Sequence, residues 1–318
     1  MPGPREWTVG DFTLRDGRIV LRKTGNSAAI DRRLIAEVAT WLACHLAVRL
    51  FGTLRHAGRR RAAIRFLPDR PHPRYMVRAA AIWAGLRLVE DDATADAAFF
   101  FEDATVSPPA HSDCPRRLNF ACTDISKSHV AAVFEATFGY PLAVDPATWR
   151  GPAVEKAEAN GTHDGRIVEC PRPPQPGRAY QRLIDTIDTD GHAIDLRTHC
   201  IGGMPVIVWI KRRAADARFL PPNLSAESRS PEEVFSPDER AAIARFCAAM
   251  GADWCGLDIL RDRDGRIYVV DVNKTDAGPI TALPFAQKLR AVALLARHLT
   301  ALVAGDAPYS GRKSGTDR

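Results

Sequence analysis

A chain of 318 residues is long enough for two or three lobes, and 46% hydrophobic and 26% charged residues with a mean hydropathy of -0.19 exclude a disordered or membrane-filling protein. The net charge of +6 favours anionic partners such as nucleotides, acidic metabolites, anionic lipid or nucleic acid without choosing among them. Seven cysteines, odd in number, widely spaced and without CxxC, suggest neither a disulfide framework nor a zinc ribbon. Buried reduced thiols in a cytoplasmic protein are expected instead, and the opening MPGPREWTVGDF lacks the apolar core of an export signal.

In chain order, residues 12–14 and 19–22 flank Asp16-Gly17 and predict a β-hairpin. In residues 34–51, Leu34, Ile35, Val38, Trp41, Leu42, Leu46 and Leu50 recur at helical spacing behind Asp31 as N-cap. The stripe is expected to be core, since Glu37, His45 and Arg49 make the stretch a poor membrane span. The alternative is an interfacial helix on a membrane or partner, aided by the basic run Arg55, Arg59, Arg60 and Arg61. A strand at 62–67, a helix at 75–88 and a strand at 97–101 predict a βαβ-like lobe.

A helix at 126–138 is stopped by Gly139 and Pro141. Strands follow at 153–158, 166–169, 180–186, 193–201 and 206–212, with the Pro-rich loop 171–177 among them. A helix at 237–250, strands at 254–260 and 266–273, and a last helix at 284–303 complete the pattern. The polar tail 305–318 is expected to be disordered.

Asp264-Gly265 suits a two-residue type I′ turn, which sets Arg263 against Arg266 and Asp258 against Asp271. Opposed carboxylates with Cβ atoms about 5 Å apart repel by about 3 kcal/mol at an effective dielectric of about 20. A bound cation or a shared proton relieves that cost. Asn273 falls on the same face, above Gly256, and the resulting set of oxygen ligands suits Mg²⁺ or Mn²⁺.

This hairpin, GLDILRDRDGRIYVVDVNKTDAGP, resembles the C-terminal metal signature of the ATP-grasp superfamily, with Asp271 where members usually carry Glu. Other pieces occur in the family's order between Asp124 and Pro284. Asp124 to Lys127, followed by Phe138 to Pro141, looks like the entry whose lysine contacts ATP phosphates. Lys156 looks like the second nucleotide lysine, and residues 160–165, with His163, take the place of the phosphate-covering loop without its usual spacing. Tyr180 to Asp185 resembles the hinge strand, implying adenine contacts from Gln181, Arg182 and Leu183 and ribose contacts from Asp185 or Asp188. Ile194 to Arg197 resembles the D-x-R strand of ribosomal-protein glutamate ligases, with Arg212, Arg213, Arg218 and Asn223 downstream in similar order.

A hairpin closed at Gly202-Gly203, with or without Met204-Pro205, turns Asp195, Arg197 and Arg212 to one face, where two arginines can neutralise a triphosphate.

The resemblance implies an α+β and α/β architecture, the ATP-grasp fold behind an N-terminal α/β lobe of pre-ATP-grasp type. Its segments are an N-terminal hairpin and amphipathic helix (1–58), the α/β lobe (59–123), a small nucleotide lobe (124–190), a C-terminal lobe with the metal site (191–304) and the tail. It further implies an ATP- and Mg²⁺-dependent carboxylate-amine ligase acting through an acyl phosphate. Asp258, Asp271 and Asn273 are its expected metal ligands, and Arg197, Arg212 and Arg218 its catalytic arginines. A hydroxyl kinase and a non-catalytic nucleotide binder of the same fold are the alternatives. The acid and amine are unspecified, no nucleic acid is expected, and homodimerisation stays open.

Overall fold

The computed structural model describes residues 12–21, 27–56, 62–162, 164–219, 223–278, 280 and 282–306. The first unit is an antiparallel sheet of β1 (Phe12–Arg15), β2 (Arg18–Leu21) and β3 (Ser27–Ala29). Its first turn holds Asp16 at φ 50° and Gly17 at φ 69°, the left-handed pair that a type I′ turn requires. Helix α1 (Arg32–Arg55) follows, capped by Asp31, whose carboxylate accepts the Leu34 N–H at 2.8 Å.

The stripe on α1 is not core. Cys44, Val48 and Gly52 are buried, whereas Ile35, Val38, Leu42, Leu46, Leu50 and Leu54 are exposed. The helix is apolar on nearly every face, so its periodicity did not decide which face would dock. A Cβ on Gly52 would lie 2.4 Å from the Ile82 carbonyl oxygen, so α1 makes a close backbone contact there that a larger residue would prevent.

The next lobe is a parallel sheet ordered β5-β4-β6-β7, built from β4 (Ala63–Pro68), β5 (Arg87–Val89), β6 (Ala97–Phe101) and β7 (Arg117–Leu118). All five residues of β6 are buried, as in a central parallel strand. Helix α2 (Met76–Trp83) is shorter than the expected 75–88, because Gly85 turns the chain at φ 67° and releases β5.

After α3 (Lys127–Phe138), the strands β8 (Gly151–Ala157), β9 (Arg166–Cys170) and β10 (Arg178–Arg182) form a small antiparallel sheet ordered β10-β8-β9. The largest sheet contains β11 (His192–Ile201), β12 (Met204–Ala214), β13 (Ser225–Arg229), β14 (Trp254–Arg261) and β15 (Ile267–Asn273), ordered β13-β12-β11-β14-β15. Strand β13 is polar and lies at the sheet edge, which explains why no apolar pattern announced it. Between β13 and β14 run α4 (Pro231–Val234) and α5 (Pro237–Ala249), and α6 (Phe285–Ala304) closes the fold at Gly305, φ 81°. The expected disorder of the tail concerns residues almost wholly outside the described ones.

The largest sheet separates two cores. On one side Ile207, Trp209 and Trp254 join α2, α6 and the parallel sheet. On the other, Val208, Leu257 and Ile259 pack with Val130 and Phe134 of α3 and with Ile243 and Phe246 of α5. The Trp209 and Trp254 face also carries Arg197, Lys211 and Asp258, so one face runs from apolar core into a charged site.

Asn119 ties the parallel lobe to this sheet. Its backbone is left-handed at φ 61°, its amide donates to the Trp254 carbonyl at 2.8 Å, and its Oδ1 accepts the Trp254 N–H at 2.8 Å. The Asn119 N–H in turn reaches an Asp253 carboxylate oxygen at 2.7 Å. Replacing Asn119 with Ala leaves two buried backbone groups of Trp254 unpaired, a loss of about 2–4 kcal/mol, to be read as a lower midpoint in urea unfolding.

Candidate active site

The site begins with the turn between β14 and β15. The Asp262 carboxylate accepts the N–H groups of Asp264 at 3.0 Å and Arg266 at 2.8 Å, and the Gly265 N–H reaches the Asp262 carbonyl at 3.1 Å. With Gly265 at φ 86°, this is a three-residue loop, and the expected pairing of Arg263 with Arg266 is not formed. Arg261 therefore faces Ile267, Leu260 faces Tyr268 and Ile259 faces Val269. A bulge then leaves Val270 without a cross-strand partner and restores the opposition of Asp258 and Asp271, with Gly256 opposite Asn273. Lys156 Nζ donates to the Val270 carbonyl at 3.0 Å, so the bulged residue also seats the lysine.

A second bulge, between His199 and Cys200, leaves Val206 unpaired in the β11–β12 ladder. It shifts the register by one residue and exchanges the faces of β12. Arg212 consequently opposes Ile194 and points away from the cavity, toward Glu227 at 3.3 Å and Asp188 at 3.8 Å. Lys211 and Arg213 occupy the face where Arg212 was expected, beside Asp195 at 2.6 and 3.0 Å. One signal was available. Pro205 lacks an N–H yet lies in a strand flanked on both sides, a position proline takes at a strand start or a bulge.

These side chains line a cavity of about 560 Å³ between the small and large sheets, within the usual range of about 300–1,000 Å³ for small-molecule sites. Its walls hold seven basic residues (Lys127, Lys156, Arg182, Arg197, Lys211, Arg213, Arg218) against four acids (Asp164, Asp195, Asp258, Asp271). The positive excess suits a polyanion. Val154, Ile184, Leu260 and Val270 provide an apolar wall. Gln181 Nε2, Thr186 Oγ1, Asn223 Oδ1 and Asn273 Nδ2, all lining the cavity, are buried without a hydrogen-bond partner among the described residues, as groups awaiting a ligand would be.

Each carboxylate is paired with a cation. Asp258 accepts from Arg197 at 2.9 Å and Lys211 at 3.1 Å; burial alone would raise its pKa, but these two charges hold it far below the carboxylate range. Asp271 pairs with Lys127 at 2.5 Å, and Lys127 also donates to Asn160 at 2.9 Å. Two opposed carboxylates and the Asn273 amide give the hard oxygen set that Mg²⁺ or Mn²⁺ takes, so these residues fit such an ion. Under Arg197, the buried His199 pairs with Asp276, and Trp254 Nε1 donates to Asp276 at 3.1 Å. A Cβ on Gly256 would lie 3.0 Å from the Arg197 guanidinium, so glycine leaves that side chain its path across the sheet.

The other expected nucleotide contacts divide. Lys127, Lys156, Gln181 and Arg182 line the cavity, as does the expected catalytic Arg218, whereas Leu183, Asp185 and Asp188 do not. The Arg182 N–H already donates to the Leu142 carbonyl at 2.9 Å, which removes it as an adenine donor. Asp185 pairs with Arg263, and Asp188 accepts the N–H groups of Asp190 at 3.0 Å and His192 at 2.8 Å. Arg218 donates to the Ile184 carbonyl at 2.8 Å. His163 lies outside the described residues.

The chain is 33% identical over 93 residues to a probable alpha-L-glutamate ligase of Hydrogenovibrio crunogenus, a match covering 29% of this chain and 30% of that protein. A probable alpha-L-glutamate ligase of Maridesulfovibrio salexigens is 29% identical over 126 residues, 40% of this chain and 39% of its own length. The matched part thus spans well under half of these relatives. No family model matches the chain. Among solved structures, the ATP-grasp ligase PsnB, complexed with minimal precursor, Mg and ADP, superposes with a TM-score of 0.50 at 14% identity, covering 76% of this chain and 98% of that one.

The chain has the ATP-grasp fold. Its mixed architecture, a parallel N-terminal sheet followed by antiparallel sheets, is the ATP-grasp fold expected from the sequence. On the cavity wall, desolvation lowers the pKa of Lys156 to about 8 against the pull of Asp271. A bound polyanion favours the charged ammonium, so affinity is greatest where the free lysine is protonated. Nucleotide affinity measured by calorimetry should fall as pH rises through about 8, and Lys156→Met should remove that step.

Proposed function

We propose that this ATP-grasp protein is an ATP- and Mg²⁺-dependent carboxylate-amine ligase. The observation that carries the reading is one cavity in which two opposed carboxylates and Asn273, on one strand pair, are surrounded by seven basic residues from other elements. The names of the relatives, probable alpha-L-glutamate ligases, and of the structural match, an ATP-grasp ligase, support amide formation over phosphorylation of a hydroxyl. The substrates are an acid and an amine. Cytoplasmic chemistry suits the seven free, buried cysteines.

Lys127 and Lys156 orient the phosphates of ATP. The apolar wall of Val154, Leu260 and Val270, with Gln181, takes the base. Asp258, Asp271 and Asn273 would hold Mg²⁺, or Mn²⁺, which supplies charge neutralisation at the phosphates. Arg197, Lys211, Arg213 and Arg218 replace Arg197, Arg212 and Arg218 as the cationic group beside the reacting carboxylate. Arg197 and Lys211 are fixed on Asp258, so they need little reorganisation as charge develops.

A carboxylate oxygen of the acid attacks the γ-phosphorus, the bond to ADP breaks, and an acyl phosphate forms. The amine nitrogen then attacks the acyl carbon, the new C–N bond forms, phosphate leaves and the nitrogen loses a proton.

Hydroxylamine intercepts acyl phosphates. Incubation with ATP, Mg²⁺ and a panel of amino-acid and peptide carboxylates should yield a hydroxamate with one class of acid. Asp271→Asn should lower that yield by about 100-fold or more while the variant stays folded by circular dichroism. A phosphorylated hydroxyl product with no hydroxamate would instead establish a kinase.

A further inference from the structure

The outer face of α1 lies apart from the cavity and plays no part in the reaction proposed above. Of the fifteen large hydrophobic side chains exposed among the described residues, ten fall between Phe12 and Leu54. Six of them, Ile35, Val38, Leu42, Leu46, Leu50 and Leu54, are 46–66% exposed and follow one another at helical spacing along α1. A helix of 24 residues is about 36 Å long, so the stripe is a continuous apolar ridge of a size that marks an interaction surface.

The opposite face is docked. Cys44, Val48 and Gly52 are buried, Trp41 stacks on His72 at 6.0 Å between ring centres, and Gly52 lies against the Ile82 backbone. Leu34–Arg55 is long and apolar enough to cross a bilayer, but crossing would strip α1 from α2 and α6. The docked helix can instead lie along a surface, with the protein body in the place of a polar face.

Charge selects the occupant. Arg32, Arg49 and Arg55 are exposed on α1, and the sequence continues with Arg59, Arg60 and Arg61. The one acid within the helix, Glu37, lines a small cavity with Trp41, Arg74 and Lys288 on the docked side, and the capping Asp31 accepts the Leu34 N–H. The outer face is therefore apolar, edged with arginine and free of acid, which complements anionic headgroups above an acyl layer. A second copy would set two such basic faces against each other.

We infer that α1 is an in-plane anchor that seats this protein on an anionic phospholipid surface, with the ridge from Ile35 to Leu54 in the interface.

The test is co-sedimentation of the full chain with vesicles of phosphatidylcholine, with and without phosphatidylglycerol. The wild type should partition onto the phosphatidylglycerol vesicles and be released by salt. Leu42→Glu/Leu46→Glu should weaken that partition by about tenfold or more, since it puts two charges where the apolar layer would be. Both side chains are exposed, so melting and nucleotide affinity should be unchanged. Absence of wild-type partition, or equal partition of the double variant, overturns the proposal. A wild-type dimer that the double variant dissolves, with no vesicle binding by either, assigns the ridge to a second copy and overturns it too.

Discussion

Side chains along a β-strand alternate between faces, so one inserted residue exchanges every group beyond it, and the largest sheet contains two such insertions, Val206 and Val270. The first brings Lys211 and Arg213 to the cavity and sends Arg212 to the outer face. The second returns Asp258 and Asp271 to opposition after a three-residue turn has displaced them. The Val270 bulge also places a carbonyl within reach of Lys156, which joins the small sheet to the large one across the cavity. Backbone irregularity, more than the choice of residues, determines which charges meet.

What those charges achieve follows from their pairing. Asp258 and Asp271, opposed on neighbouring strands, would repel if left alone. Each is neutralised from a different element: Asp258 from β11 and β12, Asp271 from the first residue of α3. The pairs keep Asp258 ionised and fix Arg197 and Lys211 in place before any ligand arrives. Basic residues still outnumber acids on the walls, so a phosphate chain meets a positive field that is already oriented.

Much of this was legible in the sequence, for identifiable reasons. The opposition of Asp258 and Asp271 was foreseen because the longer turn and the bulge offset each other, although neither had been anticipated. Arg212 was misplaced because a simple hairpin register contains no insertion, and Pro205 was the one residue that argued for it. The α1 stripe was visible as periodicity, but a helix apolar on most sides does not declare which side docks. Asn119 was invisible, since a left-handed asparagine bridging residues far away in sequence leaves no local pattern. Asp185 and Asp188 came from the resemblance, and the backbone turns them to Arg263 and to local N–H groups instead.

The register of β12 is open to direct test by comparing the MgATP affinity of Lys211→Met and Arg212→Met by calorimetry. With Lys211 bonded to Asp258 in the cavity and Arg212 outside it, the first substitution should weaken binding by about tenfold or more and the second should leave it unchanged. A loss confined to Arg212→Met would contradict the bulge and the site built upon it.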